Sequence, residues 1–172
     1  MPDASRTRTI AMPAQELWEM IRDPHHLPRW WPRVTRVEDV DDGAFTEVMK
    51  TRKGKLVRAD FEVIACDEAV RSVTWAQQIE GTPFARVLSS AETTVQLTPV
   101  HASAPPSRSD EMDAPGEGAT VVKIELRQRM AGYSSSVGMF AGFSSRFGSP
   151  MVRRAARATI DEALDGLERI GG

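Results

Sequence analysis

Carboxylates, imidazoles, one thiol and two strand glutamines are the side chains of this 172-residue chain that could carry chemistry. Glu47 lies in the segment Ala44 to Thr51, which has two possible phases: Phe45, Glu47 and Met49 inward, or Thr46 and Val48 inward. Turned inward, Glu47 is a carboxyl with a raised pKa and a candidate general base. Turned outward, it is an ordinary strand glutamate, which is the commoner case, and the alternation leaves both open. Asp41 and Asp42 belong to a turn, while Asp60 and Glu62 share a wet strand face with Arg58. His25 and His26 are adjacent, so they do not converge as an i, i+4 pair would. His101 stands in a Pro- and Ser-rich stretch, and Cys66 sits alone on a strand with no base to activate it. No metal-ligand spacing is present, so neither a metal nor a cofactor is expected. Gly138-Met139-Phe140-Ala141-Gly142 has neither the spacing nor the strand-to-helix context of a nucleotide-binding loop.

These residues must be positioned by the elements around them. Ser5 to Met12 has strand character and ends at Pro13, after which Leu17, Trp18, Met20 and Ile21 mark a helix. Asp23 can cap a second short helix with Pro24 in its first turn, ended by Pro28 and Pro32. From Val34 the period becomes two. Val34 to Val40 and Ala44 to Thr51 flank Asp41-Asp42-Gly43, a strong hairpin signal. Lys55 to Cys66 alternates with Val57, Ala59, Phe61, Val63 and Ala65 on one face, as in an antiparallel sheet wet on its other side. Arg71 to Glu80 and Ala85 to Thr98 continue the meander around Gly81-Thr82-Pro83. Pro99 to Gly118 is too poor in apolar residues to order itself and reads as a flexible inter-strand loop, about 99–118, within one domain spanning 1–172. Ala119 to Met130 is the clearest strand, with Val122, Ile124, Leu126, Gln128 and Met130 sharing a face.

The chain closes on a long amphipathic helix. At about 100° per residue, Val152, Ala156, Thr159, Ile160, Ala163, Leu167 and Ile170 gather on one side, with Ser149 as N-cap and Pro150 in the first turn. Much of that face is small: Ala155, Ala156, Thr159 and Ala163. Its charges run against the macrodipole, Arg153, Arg154 and Arg157 near the start and Asp165 and Glu168 toward the end. Either the helix begins earlier, or the arginines have a local partner. An anionic ligand head group near Arg153 is one such partner.

Composition narrows the function. Apolar content of 41% and charged content of 27% are those of a globular protein, and a net charge of −2 argues against binding nucleic acid by neutralising phosphates. One cysteine excludes an internal disulfide and suggests a reducing compartment. Neither an apolar leader in Met1-Pro2-Asp3-Ala4-Ser5-Arg6 nor an apolar run of spanning length is present, so a cytoplasmic protein without integral membrane association is expected.

The order strand, two short helices, about six antiparallel strands and a long helix resembles the START-like superfamily, also called SRPBCC or polyketide cyclase/dehydrase-like. Ala11-Met12-Pro13-Ala14-Gln15-Glu16-Leu17-Trp18 and Asp23-Pro24-His25-His26-Leu27-Pro28-Arg29-Trp30-Trp31-Pro32-Arg33-Val34 carry the likeness, and the element order extends it through Ile170. It implies an α+β helix-grip fold, with a curved antiparallel sheet of about seven strands wrapped around the C-terminal helix and a cavity between them. Strand registers then nominate Phe61, Trp75, Gln77, Ser89, Thr93, Leu126 and Gln128 for the inner face, with Ala156, Ile160 and Ala163 from the helix. Gln77 and Gln128 are informative because each replaces an apolar group and must find a partner, whether ligand, neighbour or trapped water. By the same analogy Met139, Phe140, Phe143 and Phe147 close one end of the cavity as a gate or ligand contact, the alternative being simple core packing of a helix extension, and Tyr133 can donate a hydrogen bond to a substrate oxygen at its rim. Trp30 and Trp31 are expected to pin the short helices to the sheet.

The function expected is binding or transfer of a small hydrophobic or amphipathic molecule, such as a lipid, polyketide or quinone, by a monomer or homodimer. The alternatives are a polyketide cyclase/aromatase-like enzyme using Glu47 or Tyr133, and a ligand-free protein–protein adaptor.

Overall fold

The computed structural model describes residues 4–51, 53–100, 118–131 and 148–172. The elements are β1 (Ala4–Ile10), α1 (Ala14–Arg22), a 3₁₀ turn (Pro24–His26), α2 (Leu27–Trp30), β2 (Val34–Asp41), β3 (Ala44–Lys50), β4 (Leu56–Asp67), β5 (Ser72–Gln77), a second 3₁₀ turn (Pro83–Arg86), β6 (Leu88–Pro99), β7 (Thr120–Met130) and α3 (Gly148–Gly171). The seven strands form one antiparallel sheet in the order β1-β7-β6-β5-β4-β3-β2. Every link from β2 to β7 joins sequence neighbours, and only β1 crosses over, pairing Ala4 with Leu126 through Ile10 with Thr120.

Local chemistry accounts for the turns. Asp42 and Gly43 have φ of 43° and 86°, the double left-handed conformation of a two-residue primed hairpin turn. The Asp23 side chain accepts from the His25 backbone N–H at 3.0 Å and caps the first 3₁₀ turn, with Pro24 where no N–H is needed. Pro28 corrects the expected boundary. It sits in the first turn of α2 and does not end a helix, because a residue there needs no N–H for the helix ladder. The strand expected from Ala85 begins only at Leu88: Thr82 Oγ1 accepts from Phe84 N at 3.3 Å, and Pro83 starts a 3₁₀ turn instead.

The core lies between the sheet, α1, α2 and the C-terminal part of α3. Leu17, Val95, Ala163 and Leu167 are fully buried there, with Ile10, Trp18 and Leu164 close behind. Its closest approach is at Gly166. A Cβ placed there would stand 2.3 Å from the Trp30 carbonyl oxygen, so the small residue lets α2 lie directly on α3. On the outer side of the same stretch, Arg6 pairs with Asp161 at 3.3 Å, and Arg8 pairs with Asp165 at 2.5 Å and Glu168 at 2.9 Å. The acidic residues that oppose the macrodipole are thus answered by β1. Among the described residues no helix is long and apolar enough to cross a membrane.

Candidate functional site

Between the sheet and the N-terminal part of α3 lies a cavity of about 400 Å³. Six of its seven strand-derived nominations line it where expected: Phe61 from β4, Trp75 and Gln77 from β5, Thr93 from β6, and Leu126 and Gln128 from β7. The seventh, Ser89, does not. Its hydroxyl donates to the Arg129 and Met130 carbonyls at 3.3 Å, and it is exposed. The register of β6 against β7 shifts between Leu88 and Ser90, and such a bulge reverses the alternation. Leu88 therefore points inward and joins Ala91 and Thr93.

From α3, Val152, Ala155, Ala156 and Thr159 line the cavity. Ile160 and Ala163 do not, contrary to the expectation: both are 0% exposed and belong to the packed core. The helix packs on β1, β7 and α2, and its described lining residues all fall between Val152 and Thr159. Arg153, near which an anionic head group is expected, is exposed and is not among the described lining residues. Tyr133, Met139, Phe140, Phe143 and Phe147 lie outside the described residues, as do positions 101–117 of the inter-strand loop.

Trp31 does more than pin a helix. Trp30 is buried in the core, and its ring meets Trp31 edge-on with centroids 5.3 Å apart. Trp31 in turn meets Trp75 edge-on at 5.8 Å, and both line the cavity. Such perpendicular contacts suit the ring quadrupoles and hold each plane in place. Phe84 and Val87, from the 3₁₀ turn and the residue after it, complete the apolar wall. Alternation cannot find these two, since they precede the strand, although Thr82-Pro83 signals the turn that places them.

Among the described lining residues Glu47 is the one charged side-chain type. It is 1% exposed, lies on the cavity side of β3 with Met49, and its Oε1 has no hydrogen-bond partner among the described residues. Its strand is shielded on both faces, for Phe45, Thr46 and Val48 are buried too. Thr46 donates to Asp60 at 2.6 Å on the opposite side. Glu47 pairs across the ladder with Val37 and Ala59, neither of which offers it a polar side chain. Burial pushes its carboxyl up to about 8. Cys66 is exposed, and no group of His, Cys, Asp and Glu suited to a metal occurs among the described residues.

A curved antiparallel sheet gripping a long C-terminal helix over an apolar-walled cavity defines the START-like, helix-grip class. The family model described as polyketide cyclase/dehydrase and lipid transport matches residues 1–170, and the chain belongs to that family. Among solved structures it is similar to the di-domain ARO/CYC BexL of the BE-7585A biosynthetic pathway, with a TM-score of 0.70 and 17% identity over 96% of this chain. This chain spans 45% of that protein's length. It is also similar to a START superfamily protein from Mycobacterium smegmatis, with a TM-score of 0.63 and 15% identity over 96% of this chain and 93% of that one. A conserved protein from Geobacillus kaustophilus gives a TM-score of 0.65 and 14% identity, covering 97% of this chain and 93% of the other. At such identities the likeness is one of fold. No curated protein gave a sequence match.

Proposed function

We propose that this protein binds, and holds or transfers, a small hydrophobic or amphipathic molecule between its sheet and α3. The observation that carries this reading is the cavity itself: about 400 Å³, walled by tryptophan, phenylalanine and aliphatic side chains, with Gln77, Thr93, Gln128, Thr159 and Glu47 as the polar points among its described residues. Wide apolar walls with few placed polar groups are what a small-molecule site needs. Burial of apolar ligand surface supplies roughly 25 cal/mol per Å² before the costs of association. An open interior also weighs against a ligand-free adaptor, which has no use for one. Native mass spectrometry of protein purified from its own host tests the reading, with a co-purified apolar species expected. No bound species, together with no thermal shift across a lipid and polyketide panel, would end it.

A second reading, a cyclase-like enzyme, is favoured by one observation, the buried Glu47 carboxyl beside the cavity. A flexible polyketone chain held there would meet a group able to exchange a proton with an acidic carbon or an enol oxygen. Turnover of such a chain that is abolished in Glu47→Gln while the chain still binds would support it; binding without turnover in the unmodified protein speaks for the carrier.

A further inference from the structure

We infer that Glu47 is the polar anchor of the cavity, donating a hydrogen bond from its un-ionised carboxyl to a carbonyl-type oxygen on an uncharged ligand, and that the site discriminates against carboxylate-bearing ligands. This rests on the carrier reading above and names the class of molecule carried.

The argument begins with what surrounds Glu47. It is the sole titratable side chain among the described lining residues. On β2, Arg36 is exposed and pairs with Glu38. On β4, Arg58 is exposed and pairs with Glu38 and Asp39, and Asp60 accepts from Thr46. Arg36 and Glu38 flank Val37, and Arg58 and Asp60 flank Ala59, the residues opposite Glu47, so alternation puts them on the far side of the sheet, and Asp39 is exposed. Among the described residues the cavity receives Trp75 and Gln77 from β5, Val152, Ala155, Ala156 and Thr159 from α3, and Trp31 from the loop after α2. No cation among these described elements meets the carboxyl inside. A buried carboxylate without a cation bears a large desolvation cost, and the group answers by keeping its proton.

A protonated carboxyl has one O–H to give and an oxygen to accept. Oε1 has no partner among the described residues, and the open space lies on its side of the strand. A ketone, quinone or ester oxygen on a ligand supplies what this donor needs. A ligand carboxylate would bring an unpaired charge into a space whose described walls supply no counter-ion, so it binds worse despite being a strong acceptor. The exposed Arg153, Arg154 and Arg157 lie outside the lining and do not alter this balance.

The test uses three probes of one shape: 2-acetylnaphthalene, 2-ethylnaphthalene and 2-naphthoate, measured by equilibrium dialysis against the full chain from pH 6 to pH 9. The ketone is expected to bind about tenfold more tightly than the hydrocarbon at pH 6, the worth of one buried hydrogen bond. That preference is expected to fade as the pH rises through about 8, where the donor is lost. Glu47→Gln, which keeps a donor that does not titrate, retains the preference at every pH. Glu47→Leu binds ketone and hydrocarbon alike, with thermal unfolding confirming that each variant is folded. Equal binding of ketone and hydrocarbon by the unmodified protein at all pH values, or tighter binding of naphthoate, overturns the anchor and leaves the carrier standing. Failure of all three probes to bind overturns both.

Discussion

The two halves of α3 use one helix for opposite purposes. From Ile160 onward it is packed: Ala163 and Leu167 are fully buried, Gly166 admits the Trp30 backbone, and Arg6 and Arg8 reach from β1 to Asp161, Asp165 and Glu168. Before Thr159 it is loose: Ala155 is exposed, Ala156 and Thr159 are small, and the surface they share is the cavity wall. Stability and room are competing demands on a core, since close packing tolerates few voids. Dividing them along one element lets each be met fully. The cavity can stay open because the far end of the same helix is fastened.

The sharpest way to break this division is Gly166→Ala. The added methyl has no space against the Trp30 carbonyl, so α2 and α3 must separate, at about 3 kcal/mol. Urea unfolding measures it, and ligand affinity should fall with it because Trp31 follows Trp30. Next in size is Glu47→Gln. The folded state holds a proton on Glu47 up to about pH 8, whereas an unfolded glutamate releases it near its ordinary value of 4.5. Between those values the folded state binds more protons, so its stability declines as pH rises and levels off above about 8. The Gln variant has no such decline, so its melting temperature should exceed that of the unmodified protein by a margin that widens from pH 5 to pH 8.

Smaller still is Arg8→Ala. It removes two largely exposed pairs and should cost about 0.5 to 1 kcal/mol, a difference that shrinks in high salt. Last comes Ala155→Leu, which fills space at the loose end. It should move stability by no more than about 0.5 kcal/mol, as surface-like changes do, yet lower ligand affinity severely in the dialysis measurement. Gly166→Ala and Ala155→Leu both enlarge a small residue on the same helix, and their contrast is the direct measure of the division.

Much of the frame was legible from residues alone because its signals are local. The period-two run through Phe61, the Asp42-Gly43 turn and the Asp23 cap each act within a few positions. The site was legible where strands run regularly, which is why Phe61, Trp75, Gln77, Thr93, Leu126 and Gln128 line the cavity as nominated. It failed at irregularities. A bulge near Ser89 depends on pairing with Met130, about forty positions away, and carries no mark in the sequence. Glu47 was undecidable for a different reason: β3 is buried on both faces, so its alternation contains no contrast between wet and dry. The role of Gly166 carries no sequence signal, because helix periodicity cannot show what another helix's backbone will require.

The crossover of β1 has a consequence in time. Its ladder joins Ala4 to Leu126, and its Arg8 reaches Asp165 and Glu168, 157 and 160 positions later. During synthesis at about 5–20 residues per second, β1 must wait several seconds for its neighbour in the sheet and longer for the helix. Through that interval the apolar face destined for the cavity and core has no cover. Contacts so distant in sequence also slow folding. The closing step, in which β1 docks on β7 and α3 together, is therefore where a chaperone, or the ligand itself, would most change the yield of folded protein.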